Sequence, residues 1–478
     1  MASSGFLTRM SYDDVAWART DEIFDAWKQK LLTTESYLAI GRLIAKHRGG
    51  TPIELCAPVR GAFNVCLQMK FEDGGSAIIR FPCPGVVMFP EEKVRNEVAV
   101  MRFIEQNTTI PVPHVFYHGT ADESPCGLGP FIIMEYIEHA HTFVAALNTP
   151  GLSADDRPVL NPQISSERLE LVYSQMADIL LELSKHSFPR IGSLTEADNG
   201  SWPVLRRPVT LNMNELVHLA NYPRSELPST HFPTSADYLK ALADMHIMHL
   251  SSQRNDAINS AVDCRRKYIA RHLFRKLASR SQPRSGDYHQ PFKLFCDDMR
   301  PSNVLVDADY KIVAVIDWEY TYAAPVEFAF SPPWWLLLES PEYWPGGLSD
   351  WAATYEPRLR TFLRVLEMRE EVALQNGTLG HHQRLSGPMR ASWETGAFWV
   401  SYAARKSWAF DAVFWKWIDA KYFGESGSFE ERIELLGQEE REGIEGFVIR
   451  KLAEREKRTL HEWDEDELEA VEPKRSCD

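Results

Sequence analysis

No apolar run in this 478-residue chain approaches the ~20 residues that a helix needs to cross a bilayer. The greasiest stretch, residues 332–338 (PPWWLLL), is far too short. The opening MASSGFLTRMSYDD lacks a charged segment running into a long apolar one, so no secretory leader is expected. Cysteines are few: seven, an odd number, scattered, with no Cys-x-x-Cys. That argues against a disulfide framework and a structural zinc site, and fits a reducing compartment. Positive charge is also short, with 52 Lys and Arg against 67 Asp and Glu and a net charge of −15. Domains that bind nucleic acid are usually basic, so nucleic acid is not an expected partner. The expectation is a soluble, cytoplasmic protein with no membrane partner. Hydrophobic content of 44% is ordinary for a globular protein, and the length suits two to three packed lobes. No internal repeat stands out.

What the chain does have is concentrated in residues 292–319, FKLFCDDMRPSNVLVDADYKIVAVIDWE. Short apolar runs at 292–296, 304–306 and 312–316 each read as a buried strand. Asp307-Ala308-Asp309 reads as the turn of a hairpin joining the last two. Asp298, Asn303 and Asp317 sit at strand ends, where they can converge at the open end of that hairpin. Oxygen donors of this kind suit Mg²⁺, which typically takes one or two carboxylates together with substrate phosphates.

Cys296-Asp297-Asp298-Met299-Arg300-Pro301-Ser302-Asn303 resembles the Brenner motif of the aminoglycoside and choline phosphotransferases, usually His-Gly-Asp-x-His-x-x-Asn. Ile316-Asp317-Trp318-Glu319 is similar to that family's metal-binding Asp segment, the counterpart of Asp-Phe-Gly in protein kinases. Two departures stand out. Cys296 replaces a His that supports the loop in relatives, and Asp297 replaces a Gly, setting a second carboxylate beside Asp298. If both carboxylates are buried, like-charge repulsion disfavours ionising the second.

The rest of the chain is read against that resemblance. Residues 1–50 form a helical preface, with Thr20 as a helix cap and Ile23, Phe24, Trp27 and Leu31 on one face. Residues 51–137 form a small β-rich lobe with one helix. A turn at Arg60-Gly61-Ala62-Phe63-Asn64 stands where the family covers the nucleotide phosphates, here with Gly61 alone. Asp73-Gly74-Gly75 is a hairpin turn leading into the strand that carries Arg80. Arg80 stands where the family places a Lys on the α- and β-phosphates; an Arg is a planar fork, not a point charge. Pro90-Glu91-Glu92 opens a helix whose apolar stripe contains Glu97. A carboxylate in such a stripe needs a partner, and Arg80 is the obvious one. Residues 131–136 (FIIMEY) look like the strand leading to the hinge. The resemblance puts the adenine-reading backbone groups at Glu135, Tyr136 and Ile137. Residues 138–460 form a helical lobe holding the catalytic loop and substrate region. Within it, residues 187–233, rich in Pro, Ser and Asn, read as loop or lid. Residues 461–478 read as an acidic, disordered tail.

The expected fold is therefore α+β, bilobal and protein-kinase-like: a β-rich N-lobe, a large helical C-lobe, and ATP with Mg²⁺ in the cleft. The resemblance implies ATP-dependent phosphoryl transfer to a hydroxyl of a small molecule. Asp298 would be catalytic, Asn303 and Asp317 metal ligands, and Gly61, Arg80, Glu97, Glu135, Tyr136 and Ile137 the nucleotide site. Cys296, Arg80 and the single-glycine turn favour an alternative, a nucleotide-binding pseudokinase acting as a regulatory or scaffold protein. A protein kinase fits less well: Trp318-Glu319 replaces Phe-Gly, and no Ala-Pro-Glu segment follows at a suitable distance.

Overall fold

Burial with a period of two organises the N-terminal part of the chain. In the computed structural model, which describes residues 9–153, 156–280, 292–425 and 428–460, Val65, Leu67, Met69 and Phe71 are buried while Cys66, Gln68 and Lys70 are not. Alternate side chains leave opposite faces of a strand, so β3 (Asn64–Phe71) has one dry face. It joins β1 (Pro52–Leu55), β2 (Val59–Arg60), β4 (Ser76–Pro82), β5 (Val115–Gly119) and β6 (Phe131–Glu135) in an antiparallel sheet. Its order is β1-β3-β4-β6-β5, with β2 also on β3. Gly74 turns the β3–β4 corner at φ +82°, a region glycine enters freely, and Asp73 Oδ1 accepts the Gly75 N–H at 2.9 Å.

Helices α1 (Asp14–Leu31) and α2 (Thr34–Arg48) cover the dry face. Phe24, Trp27, Leu31, Ile40 and Ile44 share one core with Leu67, Ile79 and Phe131. The start of α1 corrects the sequence reading. Asp13 is the cap, accepting from the Val15 and Ala16 N–H groups, while Thr20 is buried one turn and more inside the helix, donating to Trp17 O. The strand of chain before α1 crosses to the other lobe: Met10 N–H donates to Trp408 O, Asp13 N–H to Leu219 O, and Asn255 donates to the Asp13 carboxylate. On the other side of the sheet, α3 (Pro90–Asn107) places Val94, Val98, Met101 and Ile104 in the larger core with Ile132 and Met134.

That larger core belongs to a helical lobe built on Ser166–Ser184, Ser235–Ser252, Ala261–Arg280, Gly347–Gln375, Ala397–Arg405 and Gln438–Lys457. Residues 187–233 are not the irregular segment their composition suggests. They contain the helix Leu211–Ala220, capped by Thr210 and closed by Asn221 in the left-handed conformation, with Leu211, Met213, Leu216, Val217 and Leu219 buried. Its apolar residues win over the flanking Pro and Ser signals. The fold is thus α+β and bilobal, a β-rich lobe over a helical one. The acidic segment 461–478 lies outside the described residues.

Candidate active site

Two short sheets at the top of the helical lobe bring the key loops together. The strand Lys293–Cys296 pairs with Thr321–Ala324, Cys296 opposite Thr321. The strand Val304–Val306 pairs with Ile312–Val315, Val304 opposite Val315. Loops 297–303 and 316–320 therefore leave the same edges and run side by side. Their backbones bond directly: Ile316 N–H to Asn303 O at 2.9 Å and Asp297 N–H to Tyr320 O at 3.4 Å. The hairpin turn between them is held by Asp307, whose Oδ1 accepts from Asp309 and Lys311 N–H.

Arg80 comes from the middle of β4, opposite Cys66 and Ile132, and is 4% exposed. One arm of its fork pairs with Glu97 of α3, which is fully buried. The other reaches Asp317 Oδ1 at 2.6 Å. Lys93, one turn before Glu97, makes a second buried pair with Glu319. Lys93 Nζ also donates to Asn64 Oδ1 at 2.7 Å, and Asn64 Nδ2 donates to Glu319 Oε2 at 2.9 Å. Carboxylate oxygens of Glu97, Asp317 and Glu319 lie within 4.8 Å of one another. Burial pushes the carboxyls of Glu97 and Asp317 up, with Arg80 pulling both back. For Glu319 burial is outweighed by Lys93 and then Arg80, which hold it below the ordinary range. Asp317 and Glu319 both line the cleft, and of the three carboxylates Asp317 is the most open, with its side chain 32% exposed.

Asp298 is buried to 7% exposure. Burial pushes its carboxyl up to about 6, against the pull of Arg300, whose Nε lies 3.2 Å from Oδ1. Asn303 Nδ2 donates to the Asp298 backbone carbonyl at 2.9 Å and faces Oδ2 at 3.4 Å, so the loop is braced across its own base. Burial, not the neighbouring Asp297, is the leading cause of the Asp298 shift. Asp297 turns away from the cleft to Arg405, 3.5 Å away, at the edge of a separate, mostly apolar cavity of about 80 Å³ behind the loop. Arg405 in turn stacks over Phe295 and Phe328. Cys296 is buried, its thiol pushed up by that burial, and lies 3.9 Å from the Glu319 carbonyl. A weak S–H donor therefore links the two loops at Cys296.

Arg80, Asp298 and Asp317 line one cleft of about 540 Å³ between the lobes, together with Gly61, Glu135, Tyr136 and Ile137. Glu97 and Asn303 stand one side chain behind that surface, through Arg80 and Asp298. Gly61 donates its N–H to Asn64 O at 2.8 Å, and its φ does not require glycine. Along the hinge, Glu135 N–H is taken by His114 O and Tyr136 N–H by Ser76 O. Among the described residues, the Ile137 N–H donates to no carbonyl. Lys93 and Glu215 escaped the sequence reading, and Asn64 entered it only as the end of the turn at residues 60–64. Glu215, on the Leu211–Ala220 helix, is pushed up to about 7 by burial, opposed by Lys406 and raised further by Glu342, Asp298 and Asp297. The only sequence signal for Lys93 is its i, i+4 spacing from Glu97.

A β-rich lobe set on a helical lobe, with an arginine–glutamate pair above the cleft and an Asp, an Asn and a second Asp below it, defines a kinase-like protein. This chain belongs to the phosphotransferase enzyme family, whose model matches residues 69–366. It is 23% identical over 300 residues to clavilactone A biosynthesis cluster protein Y of Ampulloclitocybe clavipes. That match covers 58% of this chain and 62% of the relative, so only about six-tenths of the relative's length is matched. Among solved structures it is similar to an amicoumacin kinase in complex with AMP-PNP and Ca²⁺, at 10% identity and TM-score 0.38, covering 89% of this chain and 96% of that one. It is also similar to a macrolide 2′-phosphotransferase from Brachybacterium faecium, at 13% identity and TM-score 0.35, covering 82% and 100%.

Proposed function

We propose that this chain moves the γ-phosphate of ATP to a hydroxyl of a small molecule. The observation that carries the reading is the convergence of Arg80, Asp298 and Asp317 on one interlobe cleft, with Asn303 bracing Asp298. Phosphoryl transfer needs little covalent help from a protein; positioning and charge neutralisation do most of it. Arg80, paired with Glu97, holds the α- and β-phosphates. Asp298 orients the acceptor hydroxyl and takes its proton. Asp317 offers the cleft a hard oxygen donor of the kind that Mg²⁺ takes, with Asn303 Oδ1, now accepting from Ser302, the second donor one side chain behind it. Mg²⁺ when bound would neutralise charge on the transferred group. Ile78, Met134, Leu305 and Ile316 give the cleft apolar walls from both lobes, suited to a flat purine, and the uncommitted Ile137 N–H can meet its edge.

Asp298 acts as a base only when ionised. With its carboxyl at about 6, kcat/KM should fall about tenfold per pH unit below 6 and level off above it, since this profile reports groups of the free enzyme. A profile flat from pH 5 to 8 removes Asp298 as the base.

The second reading, a nucleotide-binding scaffold without turnover, is favoured by the Arg80–Asp317 contact, which occupies an oxygen that the metal needs. One experiment separates the two. The purified chain is incubated with ATP, Mg²⁺ and a metabolite extract, and mass spectrometry looks for ATP-dependent gain of phosphate. Phosphorylated product supports the enzyme. ATP-induced thermal stabilisation with no product across a broad hydroxyl panel supports the scaffold. Neither binding nor product defeats both.

A further inference from the structure

The segment that carries Asp317 is held in an unfavourable shape. Asp317 and Tyr320 both sit at left-handed backbone angles, φ +57° and +58°. Side chains other than glycine keep that conformation only where their surroundings impose it. Trp318, between them, is fully buried with its indole N–H on Val315 O at 3.0 Å. The Tyr320 ring stands edge-on to Phe63, 5.7 Å between centroids. Arg80 holds Asp317 itself, and the Glu319 side chain is held by two further residues of the other lobe.

We propose that Lys93 and Asn64 are positioning residues that act through Glu319 to aim Asp317 into the cleft. The inference rests on the reading of Asp317 as a metal ligand given above. Lys93, Glu319 and Asn64 close a triangle in which each side chain bonds both others. The charged pair is buried, with side chains 1% and 2% exposed, so losing one partner leaves the other largely without solvation. Each corner belongs to a different part of the cleft. Lys93 stands on α3 one turn before Glu97. Asn64 opens β3, and its carbonyl takes the Gly61 N–H of the turn above the cleft. Glu319 lies two residues past Asp317. A buried ion pair is weak evidence of a stabilising role, because apolar replacements of both partners often do as well. A pair that fixes the register of three functional segments serves a purpose those replacements do not. Groups that orient a metal ligand from behind commonly change metal affinity by about 10–100-fold when removed.

The test compares ATP affinity by calorimetry, with Mg²⁺ and with EDTA, for the full chain and four variants: Asp317→Asn, Lys93→Met, Asn64→Ala, and the double variant Lys93→Met/Glu319→Gln. The quantity read is the gain in affinity that Mg²⁺ confers. We expect Asp317→Asn to abolish it. We expect Lys93→Met, Asn64→Ala and the double variant to shrink it about tenfold or more, with affinity in EDTA within about twofold of the parent's. Lys93→Met alone strands a buried carboxylate and can fail to fold. The double variant leaves no unpaired charge, and Asn64→Ala leaves the ion pair whole, so these two carry the comparison. A merely structural triangle lowers thermal stability and leaves the Mg²⁺ gain at the parent's value, which overturns the inference alone. Should Asp317→Asn keep the gain, or the parent show none, the metal reading of Asp317 fails first and takes this inference with it.

Discussion

Asp298→Asn should cut turnover by about 10²–10⁴-fold, the usual worth of a positioned general base, while leaving nucleotide affinity unchanged and raising thermal stability. The two effects have one origin. Burial lifts the Asp298 carboxyl from its ordinary value of 3.8 to about 6, so the folded chain binds this proton more tightly than the unfolded chain does. Between about pH 4 and 6 stability therefore falls as pH rises, and at neutral pH the ionised group is a liability on the order of 2–3 kcal/mol. An amide removes that liability and keeps the shape. It cannot accept the acceptor's proton. The melting temperature of the variant should exceed the parent's at pH 7, and the difference should shrink towards pH 4. Phosphorylation at the parent's rate would dismiss Asp298 as the base. An unchanged melting temperature at both pH values would dismiss the burial argument.

The sequence makes the lower half of the cleft legible because its parts are close along the chain. Asn303 and Asp317 flank one hairpin, and Asp298 leaves a strand that pairs with the one starting just after Asp317, so the strand ends that carry all three lie side by side. The Arg80–Glu97 pair was reachable by a different argument, since a carboxylate within an apolar helical stripe has to find a cation. Lys93 was hidden for the opposite reason: a Lys four residues before a Glu on a helix looks like an ordinary exposed pair. Only the tertiary fold shows it turning inward to Glu319. The helix Leu211–Ala220 was hidden by its surroundings, Pro and Ser on both sides, although Thr210 is a good cap and its apolar residues are dense. Glu215 was lost with it. The crossing of residues 9–13 to the helical lobe leaves no local signal at all, because hydrogen bonds to Leu219, Asn255 and Trp408 depend on chain topology, not on composition.

Arg80 offers the sharpest test of how charge is balanced above the cleft, because two substitutions should act in different ways. Arg80→Met leaves Glu97 fully buried without its cation and should destabilise the chain by about 3–5 kcal/mol, the usual penalty for breaking one side of a buried pair. Nucleotide affinity should fall with it. Arg80→Lys keeps one positive charge but gives up the fork, and a single ammonium does not span both Glu97 and Asp317. The fully buried Glu97 loses more by being left alone than the 32% exposed Asp317, so the ammonium should stay with Glu97. Asp317 Oδ1, now held by the 2.6 Å contact, is then released to water and metal. Half-saturation of the ATP-bound protein should therefore need several-fold less Mg²⁺ in Arg80→Lys than in the parent. Denaturant titration and Mg²⁺ titration at fixed ATP read the two effects separately. A loss below about 1 kcal/mol in Arg80→Met would mean that Glu97 is neutral or finds another partner. A higher Mg²⁺ requirement in Arg80→Lys would mean that the Arg80–Asp317 contact presents the metal ligand and does not block it.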